Sequence, residues 1–487
     1  MKKILRTLLC AALLVTALSV SAFAAEREVP ELQGDFYVLV NGQYVTFADA
    51  VPQLKDGRSF LPFVAVFDQL GFAEEDMTWD AATATVTAEK EGVAISLTEG
   101  STTITVSRGE EVTTYEVDVA PYIDAATSRT YIPFGLAAEV LGYNVGWDAQ
   151  TGTVIIDDVD AILAANTETY ELMDKYLDYV RPFTQENQRI TGSYAMEMEQ
   201  IQELEVQGQP MEMSAAYGFQ GDYEMLMAGS EVQCEMALDT SVSLSIDEEQ
   251  AGSILPETIE VELRGDLEEG YFYVKNPLFN ESLELPTEAD LSEMWVRQSA
   301  EEAVAAYLMN FDDVMWSLNL AESDLTIEQF LETTLRNLEP VSVNYTAIDC
   351  LAEFNWMYAD SAFTRSGSSY VNTFEQGEGD SGGDVSLETG WTLTLYTNGS
   401  RVNGYALEQS DGFAMVGAEF SIQSASTLRG DQWEATEEYI LKENGTVTTI
   451  TVTMDGVYQS TTAQPETEPP AGALIMDITE QEETASA

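Results

Sequence analysis

The 487-residue chain contains no histidine. Without an imidazole, Ser-His-Asp and Cys-His mechanisms are excluded, as are zinc sites built on histidine. Carboxylate, lysine or tyrosine chemistry is what remains. Basic residues are scarce as well: 20 Lys and Arg stand against 85 Asp and Glu, for a formal charge of -65. A surface this negative repels phosphate backbones and anionic headgroups, which argues against nucleic acid and membrane-surface partners. Solubility is its first explanation, with cationic partners or diffusely held divalent ions second. Cysteine is rare: beyond Cys10 there are Cys234 and Cys350, and two cysteines do not make a disulfide framework. Cys234 alternates with Val232, Met236 and Leu238, the pattern of a small buried hydrophobe.

Long apolar runs are missing everywhere except at the start. Lys2, Lys3 and Arg6 precede an apolar stretch from Leu8 to Val20, and Ala22-Phe23-Ala24 follows. That order predicts a secretory signal peptide over residues 1–24, cleaved after Ala24. The stretch is short for a membrane span, which needs about 20 residues. Cys10 sits too early in it for lipid attachment. No later run could cross a bilayer, so no membrane span is expected in the mature chain. The C-terminal residues, Gln481 to Ala487, carry neither a sorting motif nor an apolar tail. The expected location is secreted or envelope-associated, on the extracellular side.

Behind the signal the chain repeats itself. Gly57-Arg58-Ser59-Phe60-Leu61-Pro62, Leu70-Gly71 and Trp79-Asp80 return as Ser128-Arg129-Thr130-Tyr131-Ile132-Pro133, Leu141-Gly142 and Trp147-Asp148. Asp49-Ala50-Val51-Pro52 is answered by Asp118-Val119-Ala120-Pro121. Self-similarity of this kind signals architecture. Pro62 and Pro133 suit the first turn of a helix, Gly71 and Gly142 a left-handed C-cap, and Asp80 and Asp148 a turn whose N–H groups they accept. Trp79 and Trp147 are expected in the core. Each unit reads strand, helix, hairpin.

These landmarks, with Val40-Asn41-Gly42, resemble the copper amine oxidase N-terminal domain, or stalk domain, of exported proteins of Gram-positive bacteria. The likeness covers roughly residues 36–157. Phe63 and Phe134 stand where the family usually has arginine. The resemblance is to an appended, non-catalytic module. The oxidases hold copper with three histidines, and Asn344-Tyr345-Thr346 lacks the acidic residue that follows their cofactor-forming tyrosine, so no amine oxidase activity, metal or cofactor is expected.

A helical connector is predicted over 158–189, with Leu172, Met173, Tyr176, Leu177 and Val180 on one side and Pro182 as its stop. Period-2 runs follow, chiefly Val232 to Ile246 and Ile259 to Leu263, apolar on one face and acidic on the other. They predict a large antiparallel sheet covered on one side. Asn398-Gly399 marks a hairpin, and Thr326 with Gln329 forms a capping box for a helix that Pro340 ends. The expected fold class is α+β: tandem stalk modules over 25–157, the connector, then a curved β-rich domain over 190–462 with helices packed on it. That domain carries a helical insert at about 299–340, and an acidic Pro/Glu-rich linker-like tail runs over 463–487. In outline the β-rich domain resembles the half-barrel of lipoprotein-carrier proteins, an architectural likeness without a motif.

Met196, Met198, Met211, Met213, Met225 and Met227 come in pairs at strand spacing. Core filling is their first reading, a pliable apolar ligand groove lined by Met196, Met198, Met225 and Met227 the second, and reduced copper the third. Glu378 to Asp384 is acidic and glycine-rich but lacks calcium-loop spacing. The functional expectation is a non-catalytic spacer and binding protein of the envelope. Its partner would be a hydrophobic small molecule, an envelope protein or a glycan. The rival is a carboxylate-based hydrolase of wall polysaccharide, which needs two acids facing across a cleft.

Overall fold

The computed structural model describes residues 27–206, 209–246, 249–251, 257–277, 291–301, 320–321, 323–376, 385–415, 418–443 and 445–477. The predicted signal segment and the acidic, glycine-rich stretch Glu378–Asp384 lie outside them. The described chain forms two compact units. One joins the repeats to residues 326–362, and the other holds the large sheet, built from 171–325 and 363–477.

In the repeat unit the chain runs β1 (Tyr37–Val40), β2 (Gln43–Tyr44), β3 (Gln53–Lys55), β4 (Arg58–Pro62) and α1 (Phe63–Gln69). Then follow β5 (Met77–Asp80), β6 (Thr85–Lys90), β7 (Val93–Thr98), β8 (Thr103–Arg108) and β9 (Glu111–Glu116). The second copy supplies β10 (Tyr122–Ile123), β11 (Thr130–Pro133), α2 (Phe134–Leu141), β12 (Asn144–Asp148), β13 (Thr153–Asp157) and α3 (Val159–Asn166). The copies are interlocked. β4 pairs antiparallel with β11, setting Leu61 opposite Ile132, and β1 completes the second copy's sheet by pairing parallel with β13. Arg58 pairs with Asp118, and Arg129 with Asp49, so each copy's arginine meets the other copy's aspartate. Both helices close as the sequence predicts: Gly71 and Gly142 take φ of 78° and 91°. Behind them Phe72 N–H donates to Phe67 O, and Tyr143 N–H to Ala138 O.

Two expectations need correction. Pro62 and Pro133 are the last strand residues and the helix N-caps, one step before the first turn. Trp79 and Trp147 are 44% and 50% exposed. They sit on the edge strands β5 and β12, and Trp147 meets the Phe36 ring edge-on at 6.2 Å. Asp80 and Asp148 do cap their turns. Asp80 accepts from Ala82 N–H and the Thr83 hydroxyl, and Asp148 from Gln150 and Thr151 N–H.

The unit is completed by α5 (Ile327–Arg336) and α6 (Ala347–Tyr358), each opened by a capping box. This segment is stitched to the second copy. Val343 N–H donates to Asp148, Ala347 N–H to buried Asp157, and the Asn144 amide to Leu335 O. Arg27 reaches Asp349 at 2.5 Å and also donates to Gly42 O and Val343 O. The helices over 326–362 therefore belong with the repeats; of the helical insert expected at about 299–340, residues 302–319 and 322 lie outside the described residues. The predicted connector divides likewise, α3 going to this unit and α4 (Glu171–Gln185) to the other. Pro182 does not stop α4: the helix runs on to Gln185, and the Gln188 amide donates to Pro182 O at 2.7 Å.

In the sheet unit, α4 is followed by β14 (Gln188–Val206), β15 (Gln209–Ala228), β16 (Glu231–Ile246), β17 (Glu249–Ala251), β18 (Thr258–Asp266), β19 (Tyr271–Lys275) and β20 (Trp295–Ser299). After the insert come β21 (Thr364–Ser366), β22 (Ser369–Gln376), β23 (Val385–Asn398), β24 (Arg401–Met415), β25 (Ala418–Arg429), β26 (Gln432–Glu443), β27 (Thr446–Ser460) and β28 (Ile475–Asp477). They form one sheet of 15 strands in which β27 pairs with β14, and β21 and β28 are its edges. A right-twisted sheet this wide curls. Gly399, at φ 69°, turns β23 into β24 as its Asn-Gly signal predicts.

The tail is not linker-like over its described part. Glu466 N–H donates to the Gln233 side-chain oxygen, Arg264 binds Glu466 and Glu468 O, and β28 pairs parallel with β20. Arg264 is thereby buried on what the alternation marks as a wet face, with its guanidinium 5.2 Å from the Trp295 ring centroid. The charge-assisted bonds to Arg264 and the edge hydrogen bonds of β20 hold a segment whose composition alone reads as disordered.

Candidate ligand-binding face

Alternation gives the sheet two unlike faces. Tyr194, Met196, Phe219, Tyr223, Met225, Cys234, Met236, Leu238, Ile259, Val261 and Leu263 all turn to one side and are buried. α4 crosses that side. Tyr176 meets Tyr405 ring to ring at 5.4 Å, the Tyr179 hydroxyl donates to Gly430 O, and Phe183 meets the Tyr458 ring at 4.9 Å. These contacts cover the strand ends near α4. Farther along the same strands the inward residues Met198, Tyr217, Val242, Ile422 and Tyr439 are only half-buried.

The four methionines expected to line a groove share this face but not one place. Met196 pairs across from Phe219, whereas Met225 pairs with Ile190 and Met227 with Gln188. Six residues separate Ile190 from Met196, about 20 Å along an extended strand. Met225 is fully buried against the helix end, while Met198 borders the half-open strip. Met211 and Met213 lie at the far end of β15, Met213 being 39% exposed.

A polar cluster interrupts the strip. On β26, Trp433, Ala435, Glu437 and Tyr439 turn inward, and Glu437 stands between Ser424 and Val452, with Met196 beyond Val452 in the same cross-strand row. Tyr439 Oη donates to Glu437 at 2.5 Å. Burial raises the Glu437 carboxyl above the ordinary range, and the Tyr439 bond holds it partly down. One row nearer α4, Ser426, Ala435, Met454 and Tyr194 line up across four strands. Tyr194 is 1% exposed and Ser426 5%, and neither hydroxyl has a hydrogen-bond partner. Burial raises the Tyr194 hydroxyl, with the Glu437 charge adding to it. The sequence does carry a signal for this cluster: a glutamate in the inward register of β26.

The opposite face is acidic and open. A depression of about 850 Å³ there is lined by Asp222, Glu224, Glu235, Glu260, Glu262 and Asp455. Register sets Glu224, Glu235 and Glu262 side by side on three strands. Most of these acids are exposed, and Glu262 is tied to Lys275 and Arg264. They do not converge in a closed crevice. Among the described residues no group of three or more Cys, Asp or Glu is arranged to hold a metal ion.

Comparison with known proteins places the repeats. Residues 39–172 match the copper amine oxidase N-terminal domain family. The match runs past β13 through α3, in keeping with the docking of α3 in this unit. No curated protein matches the chain. Among solved structures, one of lipovitellin concerned with lipid–protein interactions shares 11% identity over 58% of this chain and 26% of that one, with a TM-score of 0.21. A DUF1329 family protein from Desulfovibrio piger shares 8% identity over 58% and 91% of the two chains, TM-score 0.13. The translocator domain of the autotransporter NalP from Neisseria meningitidis shares 9% identity over 62% and 97%, TM-score 0.11. This chain thus spans about a quarter of the lipovitellin chain.

Proposed function

We propose that the chain is an exported, non-catalytic binding protein of the cell envelope, in which the repeat unit serves as a spacer and the large sheet receives a hydrophobic ligand. The observation that carries this reading is the mismatch between strand length and cover: α4 buries one end of the apolar face, and the other end keeps half-open Met198, Tyr217, Val242 and Ile422. Soft, adaptable methionine and amphipathic tyrosine suit a ligand surface of variable shape. Export is supported by the cationic, apolar and Ala-Phe-Ala order of residues 1–24. The non-catalytic reading is supported by the absence of histidine and by the open, solvated setting of the carboxylates on the acidic face.

The test is native mass spectrometry of the protein purified from its own host, with organic extraction of the bound fraction. The expected result is a lipid-sized adduct released by solvent. Protein from the host that carries no adduct would overturn the ligand-carrier reading.

A further inference from the structure

Glu437, Tyr194 and Ser426 are expensive residues to place on an apolar face. Glu437 is half-buried among apolar side chains and Tyr194 and Ser426 are buried; a carboxylate so placed gains from a counter-charge, and a buried hydroxyl needs a partner. Among the described residues no lysine or arginine pairs with Glu437. Lys442, on the same strand, pairs with Glu419 on exposed surface instead. The Tyr194 and Ser426 hydroxyls are unpartnered at 1% and 5% exposure. Ala435 lies directly across from Ser426 and directly across from Met454, two residues before Glu437 on the same inward face. The half-open strip of Met198, Tyr217 and Ile422 begins one row farther out.

From this arrangement, and resting on the ligand-carrier reading above, we infer that the ligand is an amphiphile with a primary ammonium head. Glu437, Tyr194 and Ser426 take the head, and the Met198–Tyr217–Ile422 strip takes the hydrocarbon chain. An ammonium group has three donors and no acceptor, which matches one carboxylate and two hydroxyl oxygens. It also supplies the missing counter-charge. A carboxylate or phosphate head would be repelled by Glu437 at the site and by the net charge of -65 on approach.

The experiment is displacement of the neutral fluorophore N-phenyl-1-naphthylamine from the full-length, delipidated protein by dodecylamine, dodecanol and dodecanoate at pH 8. Dodecylamine is expected to compete at least tenfold more strongly than dodecanol, and dodecanoate most weakly. Glu437→Gln should remove the amine preference and leave dodecanol within about twofold of its original strength. Ser426→Ala, a smaller change, should weaken dodecylamine several-fold and serves if the Glu437 variant misfolds. Equal competition by the three chains, or an amine preference that survives Glu437→Gln in a folded protein, would overturn the head-group inference while sparing the hydrophobic face. Failure of the fluorophore and all three chains to bind would overturn both.

Discussion

No described strand of the repeat unit exceeds six residues, whereas eight strands of the sheet unit run from twelve to twenty. In the repeats several strands end quickly in a turn with positive φ, at Gly42, Gly57, Gly92 and Gly109 among others. Many inward residues then fall within reach of one core, in which Leu61, Ile95, Ile104 and Ile132 are at most 1% exposed. In the sheet unit a strand of 15–20 residues extends about 50–65 Å, longer than α4 can cover. Its near half is a sealed core, and in its far half the inward Met198, Tyr217, Val242 and Ile422 are only half-buried. The lesson is that stability and binding are separated by unit and, within the sheet, by position along the same strands.

Substitutions can test that separation, beginning with the largest effect. Leu61→Ala or Ile132→Ala removes one of two facing side chains, both fully buried, where the copies interlock. Either should cost about 2–5 kcal/mol in urea unfolding of the repeat unit. Met213→Ala, at the open end of β15, should stay within about 0.5 kcal/mol. Equal losses would erase the contrast between the units.

Next comes pH. Burial raises the Asp157 carboxyl to about 6, with the nearby Asp349 charge adding and the Ala347 N–H bond opposing. Below pH 4 Asp157 is protonated in both folded and unfolded chains and costs nothing. Between about pH 4 and 6 the folded state holds the proton longer, so stability falls as pH rises, by about 3 kcal/mol at most. Asp157→Asn should flatten this slope and be the more stable form at pH 8, as read by thermal unfolding across the range. An unchanged slope would place the titration elsewhere.

Gly146→Ala should come third. A Cβ there would lie 1.6 Å from the Pro340 carbonyl oxygen. The expected cost is about 1–3 kcal/mol, with hydrogen-exchange protection lost over 326–362 and kept in the large sheet. Smallest is Arg129→Ala. Its pair with Asp49 is more than half exposed on both sides, so the loss should be about 0.2–1 kcal/mol and vanish in high salt.

Local chemistry made much of this legible in the sequence. The Leu70-Gly71 and Leu141-Gly142 pairs announce helix ends because only glycine takes that backbone cheaply. Thr326 with Gln329 announces a helix start, and the alternation of β16 and β18 states which face is apolar. What escaped is set by partners distant in sequence. Asp80 and Asp148 look alike, yet one keeps both oxygens in its own turn and the other gives one to Val343, 195 residues away. Nothing near Arg264 foretells that the tail will bury it, and nothing near Trp79 and Trp147 foretells that both stay about half exposed. The methionine pairs lie on one face of the sheet. Their spread along it depends on the register of β14 against β15, which no single strand encodes.

The pairing of β14 with β27 brings Gln188 against Ser460, so the middle of the sheet is sewn by strands from near opposite ends of its sequence. Seven strands on one side must wait for the whole remaining sheet to be synthesised before their central edge is satisfied. During that wait the chain also passes back to complete the repeat unit with residues 326–362. Slow maturation follows, since non-local pairing must overcome loop-closure entropy before it is rewarded. A long-lived intermediate with a bare β14 edge would be the species most in need of a chaperone.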